Sequence, residues 1–201
     1  MGAAGGMSGL ISRALAMGAV PVNPGIQRIT GTVMVNDGPA RQGMPVRGGD
    51  TVSTGSSSQV IYVVGSDAFL QREDSRVSFG RGAAAPFLRV LTGKLLSVFG
   101  TGAREVAIPA ATIGIRGTGC YIEAGAHRSY FCLCYGTVEL RPANERALEY
   151  QTTQHENPLW IENGATSRAG VINHTDDELI LLEQLVGRWP PFYNAPDPIP
   201  Y

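Results

Sequence analysis

The sequence predicts an all-β fold, arranged as two packed sheets or a short β-solenoid, with one α-helix near the C-terminus. Short apolar segments alternate with polar residues at the two-residue period of half-buried strands. Turn residues such as Asn36-Asp37-Gly38 separate these segments at intervals of about eight to twelve residues, which is typical of sandwiches, barrels and solenoids. One segment, at residues 175–187, carries both the start and the stop signals of a helix.

The length, net charge and apolar pattern of the chain limit the kinds of protein that it can be. A chain of 201 residues is long enough for one domain with a substantial core. The formal net charge of −1 provides no excess of basic residues to attract a phosphate backbone, so nucleic acid is not expected as a partner. No window of about 20 uninterrupted apolar residues is present, so no membrane-spanning helix is predicted.

The first half of the chain is predicted to consist of short strands. Residues 59–64 form a continuous apolar run and are expected to lie in the core. Thr92-Gly93 is predicted as the turn of a hairpin between residues 87–91 and 94–99. The other strands expected here are at residues 29–35, 68–72 and 76–79, and the apolar pattern at 46–52 is broken by Gly48-Gly49-Asp50.

Residues 108–140 contain all three cysteines and two alternating strands. These strands flank a predicted hairpin turn at residues 125–128. After Leu140 the pattern weakens: residues 144–150 are either a strand or an irregular segment, and residues 158–161 are predicted as a short edge strand.

The helix is predicted from Thr175 to Val186. Thr175 and Glu178 form a capping box, and Gly187 suits the left-handed position after the last turn. Leu179, Leu182, Leu185 and Val186 form the stripe expected to pack on the sheet, whereas Glu183 and Gln184 are expected to be exposed. The Pro-rich tail at residues 189–201 is predicted to be extended, with Trp189 and Phe192 in a surface groove.

Several of these segments resemble the FecR domain family. Ala-Thr-Ile-Gly-Ile-Arg-Gly-Thr at residues 111–118 and Tyr-Gly-Thr-Val-Glu-Leu at residues 135–140 are similar to its core signature. Residues 31–40, the Gly-Asp and Thr-Gly turns within 49–55 and the Asp-Ala turn within 66–69 are similar to its opening strands. The resemblance covers about residues 27–142 in the expected order, and a motif gains weight from such context.

The resemblance implies a non-catalytic all-β module of the bacterial envelope, best known from regulators of iron-uptake signalling. It therefore implies sensing or binding of a protein partner, in the periplasm or cell envelope, with the cytoplasm as the alternative. The anti-sigma segment and the membrane span of those regulators have no counterpart in this sequence, so regulation of a sigma factor is not carried over.

Three regions are expected on this basis. Residues 1–25 form a flexible tail or a degenerate signal segment, in which Ala14-Leu15-Ala16 has the small-x-small form of a cleavage site. Residues 26–172 form the FecR-like β domain, and residues 173–201 form the C-terminal helix and the Pro-rich tail.

The cysteines allow three interpretations. Cys132 and Cys134 are two residues apart on a strand, so both side chains point to one face, and pairing across the turn brings Cys120 near them. The three can be buried core residues, or Cys120 can form a disulfide with one of the others. In the third interpretation Cys132, Cys134, His155 and His174 hold zinc or iron, with Cys120 as an alternate ligand.

Arg116, with Gly117 and Thr118, is the candidate ligand-binding segment. A guanidinium beside uncovered backbone amides suits an anion such as a carboxylate-bearing iron chelate, although such an arginine more often caps the carbonyls of a tight β-arch. No nucleophile motif, metalloprotease helix or phosphate-binding glycine loop is present. The sequence therefore predicts a protein that is not an enzyme, and its small ligand stays unknown.

Overall fold

The structure, a computed structural model, describes residues 21–82 and 87–193. Within these ranges it contains fourteen strands and one α-helix, α1, at Asp176–Leu185. The strands are β1 Gly25–Thr30, β2 Val33–Val35, β3 Gly38–Pro39, β4 Thr51–Thr54, β5 Gln59–Val64, β6 Asp67–Gln71, β7 Arg76–Phe79, β8 Leu88–Val98, β9 Ala103–Ile108, β10 Ala111–Ala124, β11 Arg128–Pro142, β12 Leu148–Thr152, β13 Leu159–Glu162 and β14 Ala165–Arg168.

All fourteen strands belong to one hydrogen-bonded sheet. Its main order is β14-β13-β11-β10-β9-β8-β7-β4-β2-β3, while β5 joins β1 to β6, β6 pairs with β8, and β12 pairs with β11. The β8–β9 pair is parallel, which makes the sheet mixed. The predicted all-β class with a single C-terminal helix is confirmed.

The two faces of the sheet build two separate cores. The inner core contains an aromatic cluster in which Phe69 lies between Tyr62, Phe79 and Phe99, with ring centroids 5.1 to 5.7 Å from that of Phe69. The outer core lies between the other sheet face and α1. Residues that alternate along β10 and β11 therefore point alternately to the inner core and to the helix.

Two glycines correct the strand predictions in the first half. Gly31 has a φ of +72° and separates β1 from β2, so residues 29–35 are not one strand. Gly93 has a φ of +84°, and Ser75 fills the space where a Cβ atom would lie, yet β8 continues through this position. The predicted hairpin at Thr92-Gly93 is therefore wrong: the glycine lies within a strand that pairs with β7 and β9 before it and with β10 and β6 after it.

In the second half, the predicted hairpin between β10 and β11 is confirmed. The sequence patterns did not identify β9 or β14. The latter returns along β13 through a turn at Asn163 and Gly164, which both have positive φ, so β14 and not β13 forms this edge of the sheet.

Helix α1 begins as predicted. The Thr175 hydroxyl accepts from the Glu178 backbone N–H, the Glu178 carboxylate accepts from the Thr175 backbone N–H, and Gly187 takes a φ of +73° beyond the last turn. The predicted exposure of Glu183 and Gln184 is wrong, because both are buried. Glu183 accepts hydrogen bonds from Tyr135 on the sheet and from Arg188, which an amphipathic pattern cannot reveal.

The structure tests only a small part of the predictions for the two ends of the chain. Most of the proposed N-terminal tail and all of the tail after Tyr193 lie outside the described residues. Phe192 packs against Tyr135, with ring centroids 5.9 Å apart, whereas Trp189 stacks on Tyr193. The one helix in the described ranges does not have the length and apolar character that crossing a membrane requires.

Close packing of Gly119 against Tyr135 provides a test of this arrangement. A Cβ atom on Gly119 would lie 2.3 Å from the Tyr135 ring, whereas one on Gly114 in the same strand would meet nothing closer than 3.7 Å. We expect Gly119→Ala to lower the free energy of unfolding by about 1–3 kcal/mol, as overpacking does. Gly114→Ala is the matched control and should change it by less than about 1 kcal/mol. Equal effects in urea denaturation would contradict this account of the packing.

Candidate metal centre

Strand β11 provides two sulfur atoms to the outer core. Cys132 and Cys134 are fully buried on the face that packs against α1, whereas Leu133 between them belongs to the inner core. This division follows from the alternation of side chains along a strand, as the sequence predicts.

His155 is brought to the two cysteines by the loop that follows β12. Its φ is +46°, and its backbone N–H donates to the Cys134 carbonyl oxygen at 2.9 Å. This bond holds the ring beside β11, where Nδ1 lies 3.7 Å from the Cys132 sulfur.

His174 comes from the segment just before α1. Its ring stacks on that of Tyr121, with centroids 4.6 Å apart, and only 8% of the residue is exposed. The Nε2 atom lies 3.1 Å from Nδ1 of His155. The cap at Thr175 fixes where the helix begins, and this places His174 over the sheet.

The four side chains predicted as metal ligands therefore converge. One ligand atom from each of Cys132, Cys134, His155 and His174 lies within 4.8 Å of the other three. A tetrahedral zinc ion, with bonds of about 2.0 Å to nitrogen and about 2.3 Å to sulfur, places its ligand atoms roughly 3.3–3.8 Å apart. The measured spacings of 3.1 and 3.7 Å are close to this range, and the widest needs to close by about 1 Å.

The outer nitrogens of both rings are held by groups that only accept hydrogen bonds. Nδ1 of His174 donates to the Ile172 carbonyl at 2.6 Å, and Nε2 of His155 donates to the Asp176 carboxylate at 2.7 Å. When both rings are neutral, the inner nitrogens are therefore left with lone pairs that face each other. Because two lone pairs at this distance repel, a cation between them, either a metal ion or a proton, is required.

The thiols differ in their ionisation. Hydrogen bonding from Cys134, with further contacts from both histidines, lowers the pKa of Cys132 to about 4 against the opposing effect of burial. Burial raises the pKa of Cys134 well above its usual range. Burial acts to lower the pKa of His155, but its hydrogen bonds to Cys132 and Asp176 outweigh burial and raise it. The lowered pKa of Cys132 favours its thiolate, the form that binds metals.

Cys120 does not join this cluster, which corrects the interpretation of three neighbouring sulfurs. It pairs with Leu133 across the hairpin and points to the inner core. Ile115 and Cys120 share that face although they are five residues apart, because a bulge between Arg116 and Gly119 shifts the register. Cys120 is therefore a core residue here, and its side chain faces away from Cys132 and Cys134.

The second predicted site does not form as one unit. Thr118 is fully buried and Gly117 adopts a φ of +55°, whereas Arg116 is exposed. Arg116 lines an open cleft of about 870 Å³. Arg116 makes no hydrogen bond or ion pair with the described residues, so among them it caps no β-arch carbonyl. The cleft also holds charges of both signs, including Arg104, Arg141, Glu105 and Glu139.

Sequence reasoning missed the residues that orient the ligands. Asp176, the first residue of α1, binds both His155 and Gln154, each at 2.7 Å. The signal was present, since a carboxylate next to a candidate metal-binding histidine is a common second partner of the imidazole. Tyr121, the stacking platform of His174, could not be found without the strand register.

Comparisons with known proteins show the fold. No family model and no curated protein matches this chain. A crystal structure at 1.65 Å of a candidate anti-sigma factor from Parabacteroides distasonis is similar, with a TM-score of 0.51 and 9% identity over 60% of this chain. A second structure so described, from the same organism at 2.50 Å, has a TM-score of 0.49 and 10% identity. In each case the match spans 59% of the neighbour's length.

Proposed function

We propose that this protein is a non-catalytic regulatory module that binds one metal ion, zinc in the first place, at Cys132, Cys134, His155 and His174. One observation carries the proposal. Both imidazoles have their outer nitrogens fixed by acceptors, so two lone pairs and two sulfurs face the same buried space. Two sulfur and two nitrogen ligands in a tetrahedral arrangement suit zinc.

The ligand set also supports a role without catalysis. Catalytic zinc sites use three protein ligands and leave the fourth position to water or substrate. Here four protein ligands are available, and three of them are buried. A fully ligated ion in such a position organises structure and does not activate water.

The regulatory part of the proposal is supported by the fold. The similar structure belongs to a protein described as a candidate anti-sigma factor, and the FecR-like segments at residues 111–118 and 135–140 point to the same kind of module. We therefore propose that the partner is a protein. A link to iron uptake is part of the proposal, and ferrous iron is the second ion to test at the site.

Metal analysis of untagged protein, purified without chelator and supplied with zinc, tests the site. We expect about one equivalent of zinc per chain, because the four ligands form one closed site. A Cys132→Ser, Cys134→Ser double variant should retain less than about a tenth of it, since removing ligands lowers metal affinity strongly. Cys120→Ala is the matched control and should bind as the wild type does. A wild-type protein that binds no metal, or equal loss in the control, would disprove the proposal.

We further propose that the protein works in the periplasm or cell envelope, as the FecR resemblance implies. Fractionation of the native host, with detection of the untagged chain, should place it there. Ligation by zinc would then keep Cys132 and Cys134 reduced in an oxidising compartment. Recovery from the cytosol alone would rule out the envelope assignment.

A further inference from the structure

The four ligands come from three separate parts of the chain. Cys132 and Cys134 belong to β11, His155 to the loop after β12, and His174 to what we call the C-terminal segment, residues 173–193. A metal bound by all four would therefore link the C-terminal segment directly to the sheet. His174 is the single ligand that this segment contributes.

The same ion would hold the start of α1 by a second route. His155 keeps its orientation toward Asp176, the first residue of α1, through the hydrogen bond at 2.7 Å. Metal ligation at Nδ1 requires Nε2 to carry the proton, which is the tautomer that donates to Asp176. The ion thus fixes the helix start through His174 directly and through His155 and Asp176.

Some of the remaining contacts of the C-terminal segment stabilise its docking on the sheet, and others oppose it. Leu179 and Leu182 are fully buried in the outer core. Glu178 and Glu183 are buried too, and burial raises the pKa of Glu183 despite its bonds to Tyr135 and Arg188. The buried amide of Gln184 hydrogen-bonds to none of the described residues. Glu178 is paired with Arg72 and Glu183 with Arg188, but burial of these charges and of the Gln184 amide costs free energy that opposes docking.

The helix is also too short to be stable when separated from the sheet. It has ten residues, and isolated helices of fewer than about 12–15 residues are marginal in water. Docking and helix formation are therefore coupled, and an ion that binds only the docked state shifts their balance by its binding free energy.

We infer that metal occupancy controls the docking of the C-terminal segment: the bound ion holds residues 173–193 on the sheet, and its removal releases them and uncovers the sheet face beneath α1. This inference rests on the proposed metal function. It goes beyond that function because a metal ion could bind at the site without controlling whether residues 173–193 are docked.

Hydrogen exchange of the wild-type chain, with zinc and after chelation, tests the inference. Zinc binding is first measured by calorimetry on the same sample. At free zinc of about 100 times Kd, we expect the amides of α1 to exchange about 100-fold more slowly than without zinc, because that is the population shift which such binding can supply. Amides of β4 and β7, which belong to the inner core and carry none of the four candidate ligands, should change far less.

The outcomes separate the two proposals. If zinc binds but the α1 amides exchange equally with and without it, the control of docking is disproved and the metal site stands. If no zinc binds, the metal function itself fails, and the inference fails with it. Slower exchange confined to the C-terminal segment and to the segments that carry the other ligands supports both.

Single-ligand variants sharpen the result. His174→Gln removes the one ligand of the C-terminal segment, so the effect of zinc on α1 exchange should fall to less than about 3-fold, while β4 and β7 stay protected. His127→Gln changes an exposed histidine in the hairpin turn and is the matched control; it should behave as the wild type. Retention of the full zinc effect in His174→Gln would overturn the inference.

Discussion

The arrangement of the candidate site depends on two imidazoles whose inner nitrogens face each other at 3.1 Å. Neither ring can turn this nitrogen away, because the outer nitrogen of His174 is bonded to the Ile172 carbonyl and that of His155 to Asp176. Like lone pairs at this distance demand a positive charge between them. The two nitrogens face each other because the loop after β12 holds His155 and the start of α1 holds His174 over the same part of the sheet.

The site can form because the two faces of the sheet pack against different parts of the protein. One face closes around an aromatic core that gives the fold its stability, and the other receives α1. Cys132 and Cys134 lie on the second face, under the segment that carries His174. Thiols of the same spacing on the first face would be packed among apolar side chains, as Cys120 is, and could not reach a histidine from the C-terminal segment.

Residue chemistry and local patterns predicted a large part of this structure. The strand class, the capping box at Thr175 and the choice of four candidate ligands follow from periodicity and from the softness of sulfur and imidazole donors. What sequence could not supply was register: the bulge after Arg116 turns Cys120 to the opposite face, and Gly93 bends a strand without ending it. Burial of Glu183 escaped prediction too, since its partner Tyr135 lies 48 residues away.

The most direct test of the metal centre is X-ray absorption at the zinc edge of the purified, zinc-loaded chain, since this reports which atoms bind the ion. The account predicts two sulfur neighbours at about 2.3 Å and two nitrogen neighbours at about 2.0 Å, with the multiple-scattering features of imidazole. A first shell of oxygen and nitrogen atoms without sulfur would contradict it, because the ion would then lie away from Cys132 and Cys134.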